Sequence, residues 1–222
     1  MRRRLLQIYR LMYRRLGPQG WWPGRTRFEI IVGAILTQNT NWGNVKKAIR
    51  NLKRSRALSP KALSTLSPQR LAGLIRPAGY FQVKARRLRN FLQFLAKRYA
   101  GSLPRMFQEE SEKLREALLQ VSGIGPETAD SILLYAGSMP VFVVDAYTKR
   151  IFSRHRLIRD QASYHEVQAL FMHHLSRDVK LYNEYHALLV AVGKTYCRST
   201  PRCSSCPLRS DLERHGIPLP SP

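Results

Sequence analysis

Three groups of residues have types and spacings that could do chemistry. The first is the run Ser122-Gly123-Ile124-Gly125-Pro126, where two glycines can take positive φ and expose backbone N–H groups ahead of a proline-opened helix. Such N–H groups at a helix N-terminus bind phosphate. The second is Asp145, a carboxylate directly after the apolar run Val143-Val144. The third is the cysteine cluster Cys197, Cys203 and Cys206, whose close spacing indicates metal rather than a disulfide framework.

The first two groups also have a purely structural explanation. Gly-X-Gly occurs in ordinary turns between helices, and a carboxylate at the start of a helix is commonly its N-cap. The sequence context has to decide between the structural and the chemical explanation.

Charge is the strongest feature of that context. The 222 residues contain 38 Lys and Arg against 14 Asp and Glu, which gives a net charge of +24. Phosphate backbones, anionic membrane surfaces and acidic proteins would all attract such a chain, and a basic surface that binds nothing is the remaining alternative. Because arginines are spread over the whole length and the hairpin suits phosphate, nucleic acid is the favoured partner.

Composition limits the class of protein further. A hydrophobic content of 44% is enough for a packed core, which excludes intrinsic disorder. No apolar run approaches the length of a bilayer span, and Met1-Arg2-Arg3-Arg4 is not followed by a signal-peptide core. We therefore expect a soluble intracellular protein that makes no membrane contact.

Apolar residues recur at three-to-four spacing and hardly ever alternate, so the fold is predicted to be all-α. The pattern predicts a first amphipathic helix up to Leu16, a central buried helix from Phe28 to Thr37 and a long basic helix from about Gln82 to Tyr99. Ser59-Pro60 and Ser67-Pro68 predict two short helices, since Ser at the N-cap and Pro at the next position start helices. The apolar run before Asp145 is expected to lead into a helix rather than to form a strand. From Cys197 onward the chain is expected to be loop.

Taken together, the hairpin, Asp145 twenty residues after it and the downstream cysteines resemble the endonuclease III branch of the helix-hairpin-helix (HhH-GPD) DNA glycosylase superfamily. The resemblance extends from about Trp21 to Leu208. It implies an all-α, two-lobed fold with the DNA-binding cleft between the lobes. Residues 25–138 would form a central helical barrel lobe with the hairpin, and 1–24 plus 139–222 a second helical lobe with the cysteine loop.

The resemblance also assigns roles to single residues. Gly123, Ile124 and Gly125 match the DNA-binding hairpin, and Asp145 matches the catalytic aspartate. Gln38 matches the residue that fills the gap left by a flipped base. The segment Gly79-Tyr80-Phe81 before Lys84 resembles a second DNA-facing loop, in which Lys84, Arg86 and Arg87 would bind phosphates.

Glu127 departs from the pattern of the bifunctional members, which carry at this position a lysine that forms a Schiff base. A glutamate cannot form an imine, so the sequence predicts a monofunctional enzyme that hydrolyses the glycosidic bond. Asp145 would stabilise the oxocarbenium-like sugar and position water. Glu127 would add favourable charge in the first turn of its helix or lie at the rim of the pocket.

The segments Trp21-Trp22-Pro23, Phe28-Glu29 and 36–42 are similar to bacterial 3-methyladenine DNA glycosylases related to endonuclease III. This resemblance implies that the base pocket is lined by Trp21, Trp22, Pro23 and Trp42. A cage of aromatic faces favours an alkylated, positively charged purine through stacking and cation–π attraction. Glycosylases of uracil, thymine mismatches or other lesions, an endonuclease III-like glycosylase and AP lyase that uses another lysine such as Lys149, and a non-catalytic DNA-binding protein are the alternatives.

The cysteine spacing resembles the iron–sulfur loop of the family, but the fourth cysteine is replaced by Leu212. A [4Fe-4S] cluster would need an unidentified fourth ligand, for which His215 or solvent is a candidate. Zinc bound by three cysteines and a histidine, or a metal-free loop, are the alternatives. The resemblance implies double-stranded DNA with damaged bases as the partner, and a cytoplasmic, nucleoid-associated protein of bacterial type. We expect the protein to be a monomer.

Overall fold

The protein is described by a computed structural model that covers residues 1–219. Every regular element in this range is helical, so the all-α prediction is confirmed. The thirteen α-helices of the described range are α1 Arg2–Leu16, α2 Arg27–Thr37, α3 Trp42–Arg54, α4 Pro60–Ser64, α5 Pro68–Ile75, α6 Phe81–Tyr99, α7 Leu103–Met106, α8 Ser111–Leu119, α9 Pro126–Ser131, α10 Ala146–Arg154, α11 Tyr164–His174, α12 Val179–Thr195 and α13 Arg209–Arg214. No helix within residues 1–219 is both long and apolar enough to span a bilayer.

The chain forms two compact units. One unit is continuous and runs from Pro23 to Met139, so it contains α2–α9. The other unit combines Met1–Trp22 with the chain from Pro140 onward, and it contains α1 and α10–α13.

Helix α2 forms the centre of the continuous unit. Its N-terminus is capped by Thr26, whose side chain accepts a hydrogen bond from the Glu29 N–H. The helix is apolar almost all round, and it packs on α3, α6, α9 and a π-helical turn, Ile132–Ala136, that extends α9. Its one buried carboxylate, Glu29, accepts a hydrogen bond from Lys53 Nζ at 2.6 Å. The prediction of a central buried helix is therefore confirmed.

Local sequence signals set the ends of the short helices. Ser59 and Ser67 each cap a helix whose first residue is proline, as predicted. The 3₁₀ turn Arg76–Ala78 ends at Gly79, whose φ of 69° suits a glycine, and α6 begins two residues later.

An aromatic cluster forms the core of the discontinuous unit. Phe142 stacks on Phe171 with ring centroids 3.7 Å apart, and Tyr182 and Tyr185 meet the same ring edge-on. Phe142 lies in the buried, non-helical segment 141–144, whose side chains are at most 6% exposed. This packing fixes the chain directly before Asp145, and it confirms that the apolar run leads into a helix.

The structure corrects the prediction that the chain is loop from Cys197 onward. Cys203–Ser205 forms a 3₁₀ turn and α13 follows at Arg209. The N-cap of α13 is Leu208, which makes no side-chain capping bond, so the usual sequence signal for a helix start is missing.

Candidate nucleic-acid interface and catalytic site

Helices α8 and α9 form the helix-hairpin-helix. The two helices are joined by an ion pair, in which Arg115 donates to both carboxylate oxygens of Asp130 at 2.6 and 3.1 Å. Between them, Gly123 has φ 94° and Ile124 is buried, with its N–H donating to Val121 O. Gly125 is the N-cap of α9 with φ −94°. The prediction that both glycines use positive φ is thus wrong for Gly125, because this N-cap has an ordinary extended backbone.

A side-chain network fixes the hairpin turn. Gln38, at the end of α2, donates to Gly123 O at 3.1 Å and to Thr128 Oγ1 at 2.8 Å, while Arg87 donates to Gln38 Oε1. The Arg87 chain also lies against the Gly123 Cα, so a Cβ at Gly123 would overlap with it. Residues far apart in sequence therefore hold the hairpin turn in place. The sequence predicted that Arg87 binds a phosphate, whereas in the structure its side chain supports the turn through Gln38 and Gly123.

Lys84 lies in a different place from the one predicted. Its side chain is 1% exposed, and its Nζ donates to Ala78 O at 2.7 Å. Burial, with a smaller contribution from Arg87, lowers the pKa of Lys84. This position does not suit the predicted DNA-binding role, because the ammonium is hydrogen-bonded to the end of the 3₁₀ turn Arg76–Ala78 instead of facing solvent. Arg86 is the exposed basic side chain of this turn of α6.

Asp145 is held at the N-terminus of α10. Its Oδ1 accepts hydrogen bonds from Thr148 N at 2.7 Å and from Thr148 Oγ1 at 2.8 Å, so the residue is an N-cap as the structural explanation requires. Its Oδ2 accepts no hydrogen bond from residues 1–219 and lies 3.7 Å from His186 Nε2. One oxygen orients the carboxylate and the other remains available.

His186 is a neighbour of Asp145 that the sequence did not reveal. It is 5% exposed, and burial lowers its pKa. Asp145 opposes this shift and Lys194 adds to it. Because the neutral imidazole is favoured, His186 does not neutralise the carboxylate of Asp145 near pH 7.

The two tryptophans of the predicted base pocket lie together. The Trp21 and Trp22 rings are half-buried, with centroids 5.3 Å apart and planes inclined by 72°. The Lys194 ammonium lies 5.8 Å from the Trp21 ring centroid. Pro23 and Trp42 belong to the continuous unit, where Pro23 is exposed and Trp42 is the first residue of α3. Glu127 is exposed in the first turn of α9.

The cysteines line one small cavity in the discontinuous unit. Cys197 is buried, and Cys203 and Cys206 are partly exposed. Burial raises the pKa of the Cys203 thiol and raises that of Cys206 to about 11. Within residues 1–219, no three His, Cys, Asp or Glu side chains are arranged as a metal site. Leu212 lines the same cavity at the fourth position, so the three thiols are one ligand short of a four-cysteine cluster.

Comparisons with known proteins agree with the hairpin and the fold. Residues 32–177 match the HhH-GPD superfamily of base excision DNA repair proteins. A Methanocaldococcus jannaschii protein provisionally named a DNA repair glycosylase is 44% identical over 207 residues, which is 92% of this chain and 94% of that protein. Endonuclease III of Thermotoga maritima is 26% identical over 187 residues, 84% of this chain and 82% of the relative.

Solved structures show the same architecture. The H. pylori 3-methyladenine DNA glycosylase bound to 1,N6-ethenoadenine has a TM-score of 0.71 and 27% identity, over 97% of this chain and 99% of the other. A trapped endonuclease III–DNA complex has a TM-score of 0.81 at 21% identity, with the same coverage, and shows the likeness of fold.

Helical fold and hairpin together define a DNA glycosylase architecture. The chain belongs to the HhH-GPD superfamily, as a DNA glycosylase of base excision repair.

Proposed function

We propose that this protein is a monofunctional DNA glycosylase that hydrolyses the N-glycosidic bond of alkylated purines, with 3-methyladenine as the first candidate. The observation that carries the proposal is the geometry of Asp145, which is oriented by Thr148 through one oxygen and leaves the other available. A carboxylate in this state stabilises positive charge at C1′ and directs a water molecule towards it.

The proposed reaction balances without a covalent enzyme intermediate. The C1′–N bond breaks with its electron pair going to the base, so a cationic alkylated purine leaves as a neutral molecule. Water forms the new C1′–O bond, and its proton passes to Asp145 or to solvent. The products are the free base and an intact abasic strand.

Two observations support the absence of lyase chemistry. Glu127 occupies the position at which the resemblance places the Schiff-base lysine, and it offers no amine. The alternative nucleophile Lys149 donates its Nζ to Ala162 O at 2.9 Å, which ties the amine to the backbone.

The substrate class is supported by the tryptophan pair and by one relative. The Trp21 and Trp22 rings, with centroids 5.3 Å apart, offer aromatic faces on which an alkylated purine could stack. The similar H. pylori enzyme is a 3-methyladenine DNA glycosylase and was solved with an ethenoadenine. We further propose that the protein acts as a monomer.

The test is release of free bases from methylated duplex DNA, analysed without alkali, by wild-type and Asp145→Asn protein. Asparagine caps helices as well as aspartate does, so the variant should fold and bind DNA while base release falls by about a hundredfold or more. Thermal unfolding and DNA affinity are the matched controls.

Equal base release by Asp145→Asn would refute the assigned role and favour a non-catalytic protein contaminated by another activity. A covalent adduct with abasic DNA after borohydride reduction would refute the monofunctional assignment. Release of uracil or of mismatched thymine in place of 3-methyladenine would move the substrate to another lesion class.

A further inference from the structure

The segment after α12 has the cysteine spacing of an iron–sulfur loop, but its fourth position is aliphatic. Leu212 is 3% exposed and lies with Leu208 and the three cysteines around a cavity of about 20 Å³. Such a cavity has room for about one water molecule. The position that would complete a cluster is thus filled by hydrocarbon packing.

Two histidines could supply a further ligand, and Nδ1 of each is hydrogen-bonded. His215 Nδ1 is hydrogen-bonded to Asp211 O at 2.8 Å. His155, which also lines the cavity, is bonded through Nδ1 to Asp211 Oδ2 at 2.7 Å. The carboxylate of Asp211 also accepts two hydrogen bonds from Arg4, at 3.1 and 2.8 Å. These bonds engage Nδ1 of each ring, and within residues 1–219 no three His, Cys, Asp or Glu side chains are arranged as a metal site.

Two arginines, one turn apart on α10, hold the cysteine segment directly. Arg150 donates to Cys197 O at 2.7 Å and to Gly193 O at 3.0 Å. Arg154 donates to Arg198 O at 2.6 Å, to Ser199 O at 3.0 Å and to the Cys197 Sγ at 3.3 Å. The carbonyls at the end of α12 and in the following turn are therefore bound by guanidinium groups, whose planar donors suit several acceptors at once.

We infer that the segment after α12 is a metal-free structure. Hydrogen bonds from Arg150 and Arg154 hold it in place, as metal–thiolate bonds hold the loop of an iron–sulfur cluster. The inference is independent of the proposed reaction, since it concerns what holds the chain after α12. It assigns to Arg154 a structural role that its place among basic residues of a DNA-binding protein would not suggest.

The first test is the metal content of the full-length protein, produced with ample iron and zinc and purified without oxygen or chelators. We expect less than about 0.1 iron, zinc or acid-labile sulfide per chain, and no visible absorption from iron–sulfur charge transfer. A stoichiometric cluster or one zinc per chain would overturn the inference.

The second test compares thermal unfolding of variants, each with and without a chelator. Arg154→Met should lower Tm by about 5 °C, because three acceptors lose their donor. Arg202→Met, the same change at an exposed arginine of the segment, and the double variant Cys203→Ser/Cys206→Ser should each shift Tm by less than about 2 °C.

The relative size of these shifts decides the question. If the serine double variant loses as much stability as Arg154→Met, or if a chelator lowers the Tm of the wild-type protein, the thiols do the fastening and the inference is wrong. The metal assay stands by itself if Arg154→Met does not fold.

Discussion

At the start of α10, the two oxygens of one carboxylate have different tasks. Oδ1 of Asp145 completes the helix N-terminus through Thr148, and Oδ2 is left beside the neutral His186. A helix cap is a rigid support, because both the backbone and the hydroxyl of Thr148 define the orientation of the carboxyl plane. The capping role and the proposed catalytic role therefore reinforce each other.

Gly123 is the residue of the hairpin that should tolerate substitution least. Gly123→Ala would place a Cβ at φ 94° and against the Arg87 side chain, so we expect a loss of about 1–3 kcal/mol in the free energy of unfolding. Gly125→Ala is the matched control, since no atom lies within 4 Å of its Cβ position and its φ is −94°. Urea unfolding of both variants measures the difference, and equal losses would contradict the strain at Gly123.

The features of the site that could be predicted from the sequence are those with a local sequence motif. The hairpin glycines and Asp145 have local signatures, and the structure places them at a turn and a helix start. Arg87 and His186 have none. Arg87 reaches Gln38 across 49 residues, and His186 lies 41 positions after the carboxylate it adjoins, so only the fold brings these partners together.

Among the elements, α1, α10 and α13 are tied together by a buried carboxylate. Burial opposes the ionisation of Asp211, but hydrogen bonds from His155 and Arg4 outweigh it and hold its pKa at about 2. Its ordinary value is about 4. Because the folded pKa is the lower one, the charged network stabilises the fold above about pH 4, and this contribution disappears as the pH falls towards 2.

Asp211→Asn tests this link. We expect the variant to lose about 2 kcal/mol or more at pH 7, and the difference from wild type to shrink between about pH 4 and pH 2. Glu213→Gln is the control, because Glu213 pairs with Arg209 on the half-exposed surface of the same helix and should show little effect at any pH. Denaturant unfolding over this pH range is the measurement, and a difference that does not depend on pH would contradict the argument.

Helix starts with a strong cap were predictable, and those without one were not. Ser163 and Glu166 form a capping box that is visible in the sequence, and α11 begins there. α13 begins after Leu208 without a side-chain cap, and the π-helical turn after α9 has no sequence signature. Tertiary contacts decide such elements, so a reading of local patterns misses them.

For the whole molecule, the distribution of charge matters more than its total. No Asp or Glu occurs between Glu29 and Glu109, a stretch that contains 16 Lys and Arg and most of the continuous unit. The basic side chains there meet almost no internal counter-charge, and Lys53 pairs with Glu29 at the edge of the stretch. Phosphates of DNA are the natural counter-ions for such a surface.

Binding to undamaged duplex DNA should therefore depend steeply on salt. If at least five phosphates are contacted, a plot of log affinity against log salt concentration should have a slope steeper than about −4. The slope should be the same for a duplex with an abasic-site analogue, because base contacts release no counter-ions. Fluorescence anisotropy over a salt series measures both slopes, and binding that does not change with salt would contradict the prediction.

The arginine fastening of the segment after α12 has a consequence for the cell. A guanidinium group is part of the translated chain, whereas a cluster has to be assembled and inserted by other proteins and is lost to oxidants. If Arg150 and Arg154 hold this segment, the polypeptide needs no inserted cofactor there to reach its folded structure. Its supply of active protein would then stay constant when iron is scarce or when oxidative stress, which also damages DNA, destroys iron–sulfur clusters elsewhere.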